Sequence, residues 1–153
     1  MKSTWDNVDY VTDFSNLDDY VGFVYRIEEL NTGKYYFGIK KFWTTVKKKP
    51  TKYKLNPDGS YKKDKKGKRI LNTRTTKKHI QKESDWKTYK TSSPIMQQKL
   101  TDDPENYYCE IIRVCKSVSE MKAHEAYYQL DFYIKGRYDM IYNEVINLRL
   151  RIR

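Results

Sequence analysis

The sequence predicts a small α+β domain: a three-stranded antiparallel sheet flanked by helices, with a long basic loop insertion. Three observations carry this. Two β-rich runs, at 20–29 and 34–41, flank Leu30-Asn-Thr-Gly33, the pattern of a hairpin. A third β-rich run follows at 107–115, and helix starts are legible at Ser93-Pro94 and at Ser117-Val-Ser-Glu120. The 153 residues suit one domain able to bury its own core, and an aromatic share of 15% is at odds with a disordered chain.

Residues 1–20 are acidic (Asp6, Asp9, Asp13, Asp18, Asp19), with Trp5, Tyr10, Val11 and Phe14 scattered at no period. They read as an irregular arm that packs its aromatics on the domain. The first strand alternates Phe23, Tyr25 and Ile27 against Val24 and Arg26. The second alternates Tyr36 and Gly38 against Tyr35, Phe37 and Ile39. Gly33 supplies the positive φ that the turn needs. Residues 83–91 read as a short helix or turn. A short helix over 95–100 follows the Ser93 cap and is broken at 102–106, and Tyr107–Cys115 is the third strand. From about Val118 to Ile134 a helix places Met121, Glu125, Tyr128 and Phe132 on one side. Ala123, Tyr127, Leu130 and Ile134 lie roughly opposite, so burial on both sides is expected. Gly136 ends it, Tyr142–Leu148 forms a last short element, and Arg149, Arg151 and Arg153 make a basic tail. No internal repeat is evident. The organisation is thus an arm at 1–20, a domain at 21–148 with an insertion at 44–82, and a tail at 149–153.

The net charge of +11 is concentrated. Residues 44–82 hold 15 of the 31 Lys and Arg but only two of the 20 acidic residues, Asp58 and Asp64. This stretch carries +13 and the remainder −2. Rich in Pro and Gly and poor in apolar side chains, it reads as a mobile loop or loose hairpin around Asn56-Pro57-Asp58-Gly59, with Tyr53 and Tyr61 placed to pair across it or to stack on bases. Such a run attracts polyanions through counterion release. The candidate contacts are Lys47, Lys48, Lys49, Lys52, Lys62, Lys63, Lys65, Lys66, Lys68, Arg69 and Arg74. The plain alternative is a solvated loop that aids solubility. No apolar run is long enough to cross a membrane, and the first residues lack the apolar core of a secretory signal, so a cytoplasmic location is expected. Cys109 and Cys115 read as buried thiols in a reducing compartment. No Gly-rich phosphate loop, Gly-x-Ser-x-Gly or Cys/His cluster occurs, and His79 and His124 form no ligand pair.

Two features could carry chemistry. Glu125 shares a face with Met121, Tyr128 and Phe132, where a carboxylate is costly unless paired or bound to metal, the alternative being a stripe-edge position reaching solvent. Tyr25 and Tyr36 lie on paired strands, either as core aromatics or with hydroxyls converging on a cleft.

The stretch Gly22-Phe-Val-Tyr25, a turn with Thr32-Gly33-Lys34, and Tyr36-Phe-Gly38 resembles the paired motifs of the GIY-YIG nuclease superfamily. Ser92-Ser93, the strand Tyr108-Cys-Glu-Ile-Ile112, Glu125 on the next helix, and Tyr142-Asn143 follow in the family order. The segment from Glu83 to Ser93 looks like that of small bacteriophage-encoded members. The resemblance implies a metal-dependent DNA endonuclease, acting in the host cytoplasm if phage-encoded and needing no small-molecule cofactor. It implies that Glu125 holds Mg²⁺ (or Mn²⁺), that Tyr25 is the general base or water-positioning residue with Tyr36 beside it, and that Asn143 braces the site. The first motif reads Phe-Val-Tyr instead of Gly-Ile-Tyr. The insertion occupies the region where members carry an arginine, often followed by a His or Tyr; Lys40, Arg74, Lys87 and Tyr89 are the candidates to replace that pair, with Lys40 favoured because it follows the second motif directly. Two other readings stand beside this one: a non-cleaving nucleic-acid-binding module of the same fold, and a protein whose basic loop binds an acidic partner.

Overall fold

The computed structural model describes residues 3–12, 17–73 and 78–146. The chain runs α1 (Asp9–Thr12), β1 (Gly22–Glu29), β2 (Lys34–Lys41), β3 (Trp43–Lys48), β4 (Lys78–Glu83), α2 (Pro94–Asp102), β5 (Tyr107–Cys115) and α3 (Val118–Ile134). It forms two compact units, one of residues 1–43 with 83–153 and one of Thr44–Lys82.

In the larger unit β1 is the central strand of an antiparallel sheet ordered β2-β1-β5. Both outer strands are covered by side-chain amides and carboxylates acting as surrogate backbone. Along β5, Asp6 and Cys109 exchange bonds: the Asp6 N–H donates to the Cys109 carbonyl (2.8 Å) and the Cys109 N–H donates to Asp6 Oδ2 (2.7 Å). The Asn7 amide bonds both the N–H and the carbonyl of Ile111. Along β2, the Asn143 amide does the same at Phe37, with both bonds 2.8 Å. Uncovered, these edges would invite pairing with another chain.

The sheet separates two apolar layers. On one face Phe23, Tyr25 and Ile27 pack with Phe42, Trp86 and Met96, joined by Trp5 from the N-terminal arm. The arm is therefore part of the core, and Trp5 Nε1 donates to the Trp86 carbonyl (2.6 Å). On the other face α3 lays Met121 on Val24 and Cys115, and Tyr128 stacks on Phe37 with ring centroids 5.7 Å apart. A bulge in β5 decides which cysteine joins which layer. Tyr25 pairs with Ile111 but Val24 pairs with Arg113, so strict alternation breaks at Ile112. Cys109 consequently packs with Tyr25 and Cys115 with Met121.

The helix starts follow the sequence. Ser93 Oγ accepts from the Met96 N–H with Pro94 in the first turn, and Ser117 Oγ accepts from the Glu120 N–H. After β4 ends at Glu83, residues 84–91 form a bend and turn around the buried Trp86 and no helix. The two-sided burial expected of α3 does not occur. Tyr127 and Ile134 are 63% and 78% exposed because the helix has a sheet on one side and solvent on the other. Residues 142–146 form no regular element, while Arg74, residues 147–148 and the 149–153 tail lie outside the described residues. Among the described residues no helix is long and apolar enough to cross a membrane.

The unit Thr44–Lys82 is more ordered than a loose hairpin. Beyond the β3–β4 ribbon, its backbone follows an eight-residue repeat, which corrects the reading of no internal repeat: Tyr53-Lys54 recurs as Tyr61-Lys62, Leu55-Asn56 as Leu71-Asn72, and Gly59 as Gly67. Lys54, Lys62 and Ile70 occupy equivalent positions and bond in a ring: Lys54 N–H to Ile70, Ile70 N–H to Lys62, and Lys62 N–H to Lys54, at 2.9–3.0 Å. The residues one step earlier, Tyr53, Tyr61 and Arg69, meet at the centre. The two phenol rings lie 5.9 Å apart, edge to face, and the guanidinium lies 4.3 Å from the Tyr61 ring centroid. The tyrosines therefore pair with each other, and the exposed Arg69 guanidinium lies over both rings.

Gly38 lies directly opposite Tyr25, and a Cβ there would overlap the phenol ring. Gly38→Ala is expected to lower stability by about 1–3 kcal/mol, as overpacking does, measured by urea unfolding; wild-type stability in that variant would show that the ring is free to move aside.

Candidate active site

The register places Tyr25, Tyr36 and Lys40 on one face of the sheet, because Phe23 pairs with Lys40, Tyr25 with Gly38 and Ile27 with Tyr36. Residues from the 83–91 segment complete the cluster. The Tyr25 ring lies 6.2 Å from both the Tyr36 and the Tyr89 rings. Lys40 Nζ lies 3.8 Å from the Tyr89 ring centroid and 2.5 Å from Asp85 Oδ1, a cation held over an aromatic face by a carboxylate. That lysine holds the Asp85 carboxyl below its ordinary range. Lys87 instead pairs with Glu83 (3.4 Å) and overlies Trp86. Of the candidate cations that the structure describes, Lys40 is the one that reaches the tyrosines.

The two motif tyrosines differ in access. Tyr25 is fully buried and its hydroxyl donates to Thr91 Oγ1 (3.2 Å). Burial, reinforced by Tyr36, pushes its ionisation well above that of a free phenol, so it is a neutral phenol at ordinary pH. Tyr36 is half-buried and lines a cleft of about 490 Å³ with Ser93, Pro94, Met96, Tyr142 and Asn143. Of the two motif tyrosines, Tyr36 is therefore the one whose side chain borders a cleft. Asn143 stands beside it, fixing the Phe37 backbone through the two bonds described above.

Glu125 comes from α3 and thus approaches the hairpin from the face opposite to Tyr25 and Tyr36. It belongs to the stripe whose Met121 touches Val24 and whose Tyr128 touches Phe37. Its half-buried carboxylate makes no hydrogen bond or ion pair among the described residues. Burial raises its pKa, opposed by Lys122. The cleft lined by Tyr36 and Asn143 does not include Glu125, so the structure does not bring this carboxylate together with the motif tyrosines. Among the described residues no three His, Cys, Asp or Glu side chains cluster. A lone unpaired carboxylate fits Mg²⁺, which keeps most of its positions for water and phosphate. The cysteines do not compete, since burial pushes Cys109 to about 12 and Cys115 to about 11.

A residue that sequence reasoning missed anchors this face. Glu29 is buried and its carboxylate accepts from Thr32 Oγ1, Tyr107 OH (2.5 Å), Tyr142 OH (2.6 Å) and Lys99 Nζ (3.3 Å). Burial alone would raise its pKa, but the four donors outweigh it and hold the carboxyl at about 2. The alternation Phe23, Tyr25, Ile27, Glu29 was the available signal that this acid points inward.

The apposed tyrosines and their attendant cation lie on the hairpin of a small α+β sheet. The sequence pattern of the family described as "Putative endonuclease segE, GIY-YIG domain" matches residues 5–137, and the chain belongs to the GIY-YIG family. No curated protein and no solved structure matches it significantly.

Because Glu29 has a pKa of about 2 folded and about 4.5 unfolded, its stabilisation is present above pH 4.5 and is lost as pH falls toward 2. A shift of this size corresponds to about 3 kcal/mol. Glu29→Gln should therefore be less stable than wild type at neutral pH by up to that amount, with the gap closing between pH 5 and 2 in chemical denaturation. A gap independent of pH would refute the role assigned to this carboxylate.

Proposed function

We propose that this protein is an endonuclease that hydrolyses phosphodiester bonds in DNA, with Glu125 holding a divalent ion, Mg²⁺ or Mn²⁺. The observation that carries the reading is the placement of Lys40 over Tyr89 beside Tyr25 and Tyr36, since it supplies a cation where the family pattern otherwise lacks its arginine. Tyr36, which borders the cleft, orients the attacking water or a phosphate oxygen through its hydroxyl. Tyr25 acts through Tyr36 and Tyr89 as a positioning residue, its neutral hydroxyl anchored on Thr91. Lys40 exchanges Asp85 for the phosphate and offsets the charge that grows on its oxygens. Asn143 keeps β2 straight at Phe37 and so fixes Tyr36. The ion, when bound, supplies charge neutralisation for the phosphate and the leaving oxygen. Lys47, Lys48, Lys49, Lys52, Lys62, Lys63, Lys65, Lys66 and Lys68 hold the DNA backbone without reading its sequence. Bacteriophage origin, with action in the host cytoplasm, belongs to the same reading.

A second reading, a DNA-binding module that does not cleave, is favoured by two specific facts: the Tyr25 hydroxyl is sealed, and Glu125 approaches from the other face of the sheet.

Incubating pure protein with supercoiled plasmid separates them. The nuclease reading expects nicking with Mg²⁺ and none with EDTA, Glu125→Ala at background, and Tyr36→Phe and Lys40→Ala each slower by roughly 10- to 1,000-fold, the range of single stabilising groups. Tyr25→Phe should slow nicking less than Tyr36→Phe. Retained binding with no nicking under any condition selects the second reading, and equal nicking by Glu125→Ala would assign the activity to a contaminant.

A further inference from the structure

The unit Thr44–Lys82 has a property that its charge alone does not disclose: its turns are equivalent. Asn56–Ser60 and Asp64–Lys68 close the same way. In the first, the Asn56 N–H donates to the Ser60 carbonyl (2.8 Å) and the Gly59 N–H to the Asn56 carbonyl (3.0 Å). In the second, the Asp64 N–H donates to the Lys68 carbonyl (2.8 Å) and the Gly67 N–H to the Asp64 carbonyl (3.0 Å). Gly59 and Gly67 hold matching left-handed conformations, φ +84° and +75°. The third closure, Asn72 N–H to the Lys52 carbonyl (3.0 Å), brings together the two ends of the repeat. The bridges Leu55–Tyr61, Lys63–Arg69 and Tyr53–Leu71 complete the cycle, each joining the third position of one octad to the first of the next.

The scaffold is thus held by backbone bonds and by the central Tyr53, Tyr61 and Arg69, leaving the turn side chains outside it. Those side chains are unequally charged. Asn56-Pro57-Asp58-Gly59-Ser60 carries −1, whereas Asp64-Lys65-Lys66-Gly67-Lys68 carries +2. The second turn's one acid is used internally, since Asp64 Oδ1 accepts from the Lys66 and Lys68 N–H groups at 2.9 Å. Asp58 is likewise taken by Ser60. Among the described residues no Lys or Arg of this unit forms an ion pair with an acid. Cations this exposed, unpaired and clustered on a turn closed by its own backbone hydrogen bonds are arranged for an extended anion.

We propose that residues 53–72 form a three-fold scaffold with interchangeable turns, and that the Asp64–Lys68 turn is its principal contact with the phosphate backbone of duplex DNA. This rests on the reading that DNA is the substrate and names which part of the insertion meets it. Because the turns are equivalent, charge can be moved without dismantling the fold. Installing the first turn in place of the second (Asp64→Asn, Lys65→Pro, Lys66→Asp, Lys68→Ser) removes three positive charges net. Lys65 donates no backbone bond, so proline is compatible there. The converse change (Asn56→Asp, Pro57→Lys, Asp58→Lys, Ser60→Lys) adds three.

The test is fluorescence anisotropy of the full-length protein on two short duplexes of unrelated sequence across a KCl series. The slope of log affinity against log salt should become shallower by about 2–3 in the first variant, at about 0.9 per phosphate contact, and steeper in the second, equally on both duplexes. An unchanged slope in both variants overturns the assignment of the contact, and loss of folding by either, seen by circular dichroism, overturns the interchangeability. Lys65→Gln/Lys66→Gln/Lys68→Gln, which leaves the turn backbone alone, tests the contact separately and should also flatten the slope. Plasmid nicking at low salt gives the independent readout. Altered slopes without nicking by wild type would defeat the nuclease reading alone, whereas normal nicking with unaltered slopes would defeat only this one.

Discussion

Tyr25 and Gly38 face one another across the β1–β2 ladder, and the phenol ring occupies the volume where any side chain at 38 would stand. This close approach lets one aromatic from the central strand reach over the edge strand and touch Tyr36 on one side and Tyr89 on the other. Trp5 and Phe23 pack behind it. The core on this face and the candidate site are therefore one continuous aromatic layer, and the site inherits the rigidity of close packing.

That layer needs a sheet whose edges do not drift. With β1 as its only internal strand, a three-stranded sheet has two edges, and both are secured by short polar side chains from distant parts of the chain. Asp6 and Asn7 hold β5, and Asn143 holds β2. Each replaces the missing ladder partner, satisfying backbone groups that would otherwise be exposed or unpaired. Asn143 thereby fixes the strand that carries Tyr36 and Gly38. Tyr142 next to it is tied down by the buried Glu29, which also gathers Lys99 from α2 and Tyr107 from β5. A carboxylate with several donors in a buried setting is strongly committed to one arrangement, because losing any donor exposes an uncompensated charge to a poor solvent.

Much of the architecture was legible because it is local. The hairpin, the Ser93 and Ser117 caps, the β5 limits and the extent of α3 follow from alternation, turn residues and capping, all contained within a few neighbouring positions. The tyrosine motif and the order of residues around it likewise pointed to the family. What was misread depends on partners remote in sequence. α3 has apolar side chains all round, yet one flank is exposed because no second layer exists to cover it. The octad in 53–72 is the exception, since it is local and legible in residue type: Tyr-Lys recurs at 53 and 61, Leu-Asn at 55 and 71, and Gly at 59 and 67, although lysines fill much of the second octad and Arg69-Ile70 replaces Tyr-Lys in the third.

By itself the sequence determined the three strands of the larger sheet, the two capped helices, the identities of the candidate residues and the concentration of charge, since each is fixed by local propensity or by composition. Only the tertiary structure decided that Tyr25 is sealed while Tyr36 borders a cleft, that Lys40 and not Lys87 stands with the tyrosines, and that Glu125 approaches from the opposite face. Those outcomes depend on strand register and on which layer covers which face. They are set by packing between segments far apart along the chain, where a shift of one position turns a side chain from one face of the sheet to the other.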